Sequence, residues 1–218
     1  MKIKNLYNKE LGRRCFILAN GPSVKNFDLS KLKNEIVIGM NASTLLEKEF
    51  DFVQTYYTVS DTRFFDIEFK KELATTLLHP STKKIFRKEI SRFCLDEKNT
   101  FYVSALERDG FSFNLQKGYH YGCTTVMLAL QLAYYLGCKE IFLLGFDLNY
   151  SSNSPRFYQE SNIQVDDSKA SVQILNVANA AIALQNRGTT LYNCNPESLA
   201  RNYIPYKDFN SIFLQKFK

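Results

Sequence analysis

Short apolar runs that end in small polar residues recur along the chain. Cys15-Phe-Ile-Leu-Ala runs into Asn20-Gly21-Pro22-Ser23, and Glu35-Ile-Val-Ile-Gly-Met ends at Asn41. The run from Asp51 through Val59 ends in Ser60-Asp61-Thr62-Arg63, and Ile141-Phe-Leu-Leu leads to Gly145-Phe-Asp147. Phe101-Tyr-Val-Ser104 and Thr190-Leu-Tyr-Asn-Cys194 complete the set. Each run is short and bounded, which predicts strands rather than helices. Helical patterns lie between them. Asp28–Leu32 predicts one helical turn, and the stretches near Phe64–Leu78 and Lys83–Phe93 predict helices. Thr124 and Thr125 cap a pattern that runs to Leu136 and is apolar almost all round, with Gly137 as its stop. That pattern predicts a deeply buried helix. A further helix spans roughly Ser171–Asn186, with Val172, Leu175, Ala178 and Ile182 on one face and Gly188 as its stop, and a last one starts at Pro196.

Strand, helix and strand alternate throughout. The pattern predicts an α/β chain: a single Rossmann-like, doubly wound, mainly parallel sheet formed by residues 1–218. The long polar stretch 149–170 predicts a mobile lid. In such sheets ligands bind beyond the carboxyl ends of the strands, where the polar run ends gather here. The Asn20-Gly21-Pro22-Ser23 turn carries two readings. Gly21 permits close approach of a ligand, Pro22 suits a first helical position and the amides of that turn favour an anion. The same four residues also describe an ordinary strand-to-helix turn.

Composition narrows the ligand. With 28 Lys and Arg against 22 Asp and Glu, the net charge is +6, which suits a phosphorylated partner. The basic residues are spread out and no nucleic-acid motif occurs, so no nucleic-acid partner is expected. No apolar run reaches membrane-spanning length. The five cysteines lack paired metal-ligand spacing, so no metal is expected, and their odd number with no export signal predicts a cytoplasmic location. The tail Phe209–Lys218 reads as a docked terminal helix or as a segment in peripheral contact with a membrane surface.

The ordered anchors Ala19-Asn-Gly-Pro-Ser23, Gly39-Met-Asn41, Thr124-Thr125, Leu136-Gly-Cys-Lys-Glu-Ile141, Gly145-Phe-Asp147 and Leu191-Tyr-Asn-Cys-Asn-Pro-Glu-Ser198 carry a resemblance. The chain resembles the bacterial sialyltransferase family that includes the Campylobacter lipooligosaccharide enzymes. It is also similar to a broader group related to the pterin pyrophosphokinase MptE proteins. The resemblance covers most of the chain and is weak between residues 66 and 115.

The resemblance implies a metal-independent, inverting glycosyltransferase with no cofactor. Its donor substrate would be a CMP-activated, sialic-acid-like sugar and its acceptor a glycan or glycolipid of lipooligosaccharide or capsule. It implies that Asn20 and Gly21 meet the donor's cytidylate, with Pro22 and Ser23 in the same substrate-binding turn, and that Asn41 and Ser60 are further donor contacts. Thr124 and Thr125 would meet the nucleotide or the sugar carboxylate, and Gly145 and Asp147 would flank ribose and base. Tyr150 and Tyr158 are the candidates for holding the leaving phosphate. The family's lid histidine is missing: Asp166-Asp167-Ser168-Lys169 stands in its place, and the only histidines are His79 and His120. A carboxylate can take the acceptor's proton instead, which makes Asp61, Asp166 and Asp167 candidates. Arg63 and Arg156 are candidate anion clamps. The relatives assemble as oligomers, so a homo-oligomer is expected. Two other functions stay open: an MptE-like pyrophosphokinase using ATP and magnesium, and a non-catalytic relative that binds a nucleotide-sugar.

Overall fold

The structure is a computed structural model and describes residues 1–93, 98–149, 156–159 and 168–214. Five parallel strands, β1 (Arg14–Leu18), β2 (Ile36–Met40), β3 (Tyr56–Val59), β4 (Lys83–Arg87) and β5 (Thr100–Val103), follow one another outward across the main sheet. β6 (Ala105–Leu106) and β7 (Tyr119–His120) form a separate short parallel pair. β8 (Glu140–Leu144) and β9 (Thr190–Asn193) then join the main sheet on the other side of β1. The spatial order β5-β4-β3-β2-β1-β8-β9 therefore reverses beside β1, in an α/β Rossmann-like fold.

β1 is central because both its faces are apolar. Phe16 lies opposite Val37 of β2 and Phe142 of β8. On one face, Cys15, Ile17, Ile38, Tyr56 and Leu143 pack against helix α3 (Thr125–Tyr135). On the other, Phe16, Leu18, Val37, Phe142 and Leu144 pack against Leu29, Leu32, Phe209 and Ile212. α3 is buried along nearly its whole length, as its all-round apolar pattern predicts. Gly137, at φ +88°, ends it. α4 (Ala170–Gln185) covers α3, while α1 (Thr44–Phe50) and α2 (Glu68–Ala74) pack near β2 and β3.

Several elements differ from the expectation. Residues 83–87 form strand β4 rather than a helix, because Ile85 and Phe86 alternate into the two core faces beside β3. No helix follows Pro196; residues 197–203 make turns. α4 turns a different face inward. Gln173, Asn176, Val177, Ala180 and Leu184 are buried, whereas Leu175 and Ile182 are each 57% exposed. The described part of the tail is docked. Helix α5 (Ser211–Leu214) buries Ile212, and Arg14 donates to the Ile212 carbonyl at 2.9 Å while gripping Glu35. The Arg14 guanidinium lies 5.1 Å from the Phe213 ring centre, so cation–π attraction adds to that hold.

Gly39 shows how tightly β2 is set. The wholly buried Gln54 carboxamide lies over it and accepts from the Ser43 hydroxyl at 2.6 Å. A Cβ at position 39 would overlap both groups. Gly39→Ala is expected to lower unfolding stability by about 2 kcal/mol or more, in the range of overpacked cores. Denaturant melts of Gly39→Ala, Gln54→Ala and the double variant measure the coupling. The alanine at 39 should cost clearly less once Gln54 is shortened.

Candidate functional site

The carboxyl ends of β1, β2 and β8 and the amino end of α3 meet at the switch point of the sheet. Between them lies a small inner recess of about 70 Å³. Asn20 and Gly21 line it from β1, Asn41 from β2, Thr124 and Thr125 from α3, and Gly145 and Asp147 from β8. The Thr124 side chain caps α3 by accepting from the Val126 amide at 3.3 Å. Thr125 is held from below: its Oγ1 lies 2.8 Å from Oγ of the fully buried Ser60. Ser60 thus acts on the recess through Thr125 and does not line it.

Two side chains on this wall are chemically incomplete. Asn20 Oδ1 and Asn41 Oδ1 are buried and accept no hydrogen bond among the described residues. Orphaned buried groups are costly, and a ligand is one way to complete them. Gln54 Nε2, the Tyr119 and Tyr135 hydroxyls and Asn176 Oδ1 share this state away from the recess, so what sets Asn20 and Asn41 apart is that both line it. Asn41 also holds a left-handed backbone, φ +51°, which asparagine tolerates better than most residues. Its carbonyl is fixed by the Tyr57 hydroxyl.

The Asn20-Gly21-Pro22-Ser23 turn is used differently from a phosphate cradle. Residues 22–26 form a short 3₁₀ turn, with Pro22 at its start. The anion seated on it belongs to the protein. The Ser23 amide donates to Asp147 Oδ2 at 2.9 Å, and the Ser23 hydroxyl donates to Oδ1. Asn195 Nδ2 donates to the same Oδ1 at 2.7 Å. Gly21 leaves room for this carboxylate, because a Cβ there would overlap Asp147 and the Gly145 carbonyl. Around it, Asn193 and Ser198 donate to the Phe146 carbonyl at 3.1 and 2.7 Å, and the Leu199 amide donates to the Asp147 carbonyl at 3.1 Å.

Outward, the recess opens on a basin of about 490 Å³ that shares Asn41, Thr124, Thr125, Arg156 and Gln173 with it. Arg63, Arg156 and Lys169 bring positive charge to this basin and Asp61 brings the carboxylate. Asp61 is engaged by Arg63, which donates to it at 2.7 and 3.0 Å. Burial raises the Asp61 carboxyl, but the Arg63 side chain and amide and the charge of Lys70 outweigh it and hold the group below its ordinary range. Tyr121, also on the basin, is pushed up by burial and by the Asp61 charge.

The structure therefore brings together Asn20, Gly21, Asn41, Thr124, Thr125, Gly145 and Asp147, with Asp61 and Arg63 in the adjoining basin. Tyr158 packs beside Phe157, ring centres 5.2 Å apart, against the apolar cluster of Tyr57 and Phe65 and off the recess lining. The Phe157 amide donates to the Asn20 carbonyl at 3.0 Å, which ties this part of the expected lid to β1. Tyr150, Asp166 and Asp167 lie outside the described residues. Neither histidine lines the crevice: His120 Nδ1 bonds the Arg108 carbonyl at 2.8 Å and His79 Nδ1 bonds Ser81 at 2.7 Å. Sequence reasoning missed Asn195, whose partner is 48 residues away, and Gln173. No sequence signal marked Gln173, because the apolar residues Leu175 and Ile182 point to the opposite face of α4 as the inward one. Among the described residues, no group of three or more His, Cys, Asp or Glu side chains is placed to hold a metal ion.

Residues 1–153 match the family described as 6-hydroxymethylpterin diphosphokinase MptE-like. No curated protein matches the chain in sequence. Among solved structures, the sialyltransferase CstII from Campylobacter jejuni, in complex with the substrate analogue cytidine-5'-monophosphate, is similar at TM-score 0.55 and 16% identity, covering 90% of this chain and 85% of that one. The MAf glycosyltransferase from Magnetospirillum magneticum is similar at TM-score 0.62 and 13% identity, and the match covers 84% of this chain and 32% of that one.

Asn20 and Asp147 should respond unequally to truncation. Asp147→Ala leaves buried donors without an acceptor and is expected to cost about 3 kcal/mol of stability. Asn20→Ala removes an unpaired acceptor and is expected to change stability by less than about 1 kcal/mol. Thermal melts of the two variants check this. Asp61 carries a sign that pH titration reads. Its folded pKa is depressed, so its contribution is present above the unfolded carboxylate pKa and is lost as pH falls through the folded one. Arg63 is largely exposed, so Asp61→Asn should cost at most about 1 kcal/mol at neutral pH and nothing at low pH, where the two melting temperatures converge.

Proposed function

We propose, for a chain that belongs to the 6-hydroxymethylpterin diphosphokinase MptE-like family, that the crevice binds the nucleoside of an activated sugar donor and that the protein is a glycosyltransferase. The observation that carries this reading is the pair of unpaired, buried acceptors, Asn20 Oδ1 and Asn41 Oδ1, on the recess wall. A carboxamide oxygen requires a donor, and a phosphate at neutral pH offers almost none. Ribose hydroxyls and an exocyclic amine supply donors. The nucleoside thus takes the inner position and its phosphate points into the basin of Arg63, Arg156 and Lys169. The fold shared with a sialyltransferase crystallised with cytidine-5'-monophosphate supports a CMP-linked, sialic-acid-like donor.

In this reaction the acceptor hydroxyl attacks the anomeric carbon and the bond from that carbon to the phosphate oxygen breaks. CMP leaves with the electron pair, and the acceptor's proton passes to a base. The basin cations stabilise the charge that develops on the leaving phosphate. Asp61 is a poor base, because Arg63 keeps it ionised to unusually low pH. Asp166 and Asp167 are the remaining carboxylate candidates. Thr125, steadied by Ser60, offers a hydroxyl to the sugar carboxylate. The glycan product belongs to a bacterial surface, and transfer takes place in the cytoplasm.

The family match favours a second reading, a diphosphokinase that moves a pyrophosphoryl group from ATP. Such chemistry uses magnesium held by one or two carboxylates and by the phosphates. Asp147 is already engaged by Ser23 and Asn195, which weighs against it as a ligand. Thermal shift against CMP and against ATP, each with and without magnesium, separates the readings. CMP at about 100 times its Kd is expected to stabilise the fold by about 2.7 kcal/mol, without any need for magnesium. Stabilisation only by ATP with magnesium would support the diphosphokinase, and no response to either would overturn both.

A further inference from the structure

A second hollow, of about 300 Å³, lies at the opposite end of the sheet. It sits before the amino ends of β8 and β9, between Cys138, Lys139 and Thr189, far from the strand ends that hold the recess. Its construction starts at the carboxyl end of α3. Residues 8–12 run along that end, and the amides of Asn8, Glu10 and Gly12 donate to the carbonyls of Tyr135, Leu136 and Gly137 at 3.0, 2.8 and 2.9 Å. The open carbonyls at this helix end are thereby satisfied by backbone. Neither Lys139 nor Arg187 is needed for that task.

The lining joins aromatic faces to charge of one sign. Tyr7, Phe113 and Tyr134 supply rings; Tyr7 is 60% exposed, and Phe113 and Tyr134 meet edge to face with centres 5.0 Å apart. The Arg187 guanidinium lies 4.7 Å from the Phe113 ring centre, which fixes it at the rim. Lys139 stands on the same rim, and no Asp or Glu lines the hollow. Neighbouring carboxylates have other duties: Glu10 receives Arg13 at 3.1 Å and the Tyr56 hydroxyl at 2.8 Å. Neither Lys139 nor Arg187 forms an ion pair among the described residues. Two cations that form no ion pair among the described residues, beside one exposed ring and two half-buried ones, complement a compact anion that carries an apolar face. Asn8 adds an amide able to bond hydroxyls.

We propose that this hollow is a second binding site for an acidic saccharide, in which Lys139 and Arg187 receive the carboxylate and the rings of Phe113, Tyr134 and Tyr7 pack against the sugar face. Such a site lets one end of the molecule hold an acidic glycan while the other end does chemistry. Tethering of that kind raises the effective concentration of the chain at the crevice. The site itself does not depend on the reading of the crevice, because its residues are separate from it.

The test is NMR titration of the full chain with free N-acetylneuraminic acid, with N-acetylmannosamine as the neutral control and inorganic phosphate as the bare anion. The acid should shift resonances of residues 7–11, 113, 134 and 187–189, and its binding should weaken about tenfold or more in Lys139→Gln/Arg187→Gln. Both substituted side chains are exposed, so the variant folds and a melting curve verifies it. Asn20→Ala should leave this binding unchanged, which separates it from the crevice. No shifts at this end, equal response to the neutral sugar, equal response to phosphate, or undiminished binding in the double variant would each overturn the proposal.

Discussion

One carboxylate organises the functional end of this protein. Asp147 follows β8 and accepts hydrogen bonds from the turn after β1, through Ser23, and from the segment after β9, through Asn195. Charge-assisted bonds of this kind are about twice as strong as neutral ones. They link three neighbouring strand ends into a single rim, and the bare Cα of Gly21 is what lets the carboxylate come so close. The position of Asn20, and hence the shape of the recess, follows from this knot. On the Asn-Gly-Pro-Ser turn, where a phosphate could sit, the protein places its own anion.

That occupancy gives the crevice a polarity. The inner wall holds unpaired acceptors, which call for hydroxyl or amino donors. The outer basin is lined by Arg63, Arg156 and Lys169 and by one carboxylate, Asp61, a surplus of positive charge that favours an anion. A nucleotide satisfies both when its nucleoside is innermost and its phosphate faces out. The reverse orientation would press a phosphate against acceptor oxygens and the buried Asp147 carboxylate, at a cost in repulsion and lost hydration. The same logic makes Asp61 a partner for Arg63 more than a proton acceptor.

Much of this was legible in the sequence, for a physical reason. Strands buried on both faces read as unbroken apolar runs, so β1, β2, β3 and β8 announce themselves, and α3 does so by being apolar all round. β4 was hidden because Lys83, Lys84 and Arg87 frame only two inward residues, Ile85 and Phe86, and the charges mimic a helix surface. The buried face of α4 was hidden because polar residues, Gln173 and Asn176, point inward while Leu175 and Ile182 point out. Asn20, Asn41, Thr124 and Thr125 could be picked out as strand-end and helix-cap residues. The distinction between Asp147, held as scaffold, and Asn20, left with an unpartnered oxygen among the described residues, could not, since it depends on partners such as Ser23, 124 residues away.

The most direct test of the account is a crystal structure of the full chain soaked with cytidine-5'-monophosphate. The account predicts the nucleoside in the inner recess, with ligand donors within hydrogen-bond distance of Asn20 Oδ1 and Asn41 Oδ1 and the phosphate turned toward Arg156. A phosphate seated on the Gly21–Ser23 turn in place of the Asp147 carboxylate, or a recess left empty at saturating ligand, would contradict it.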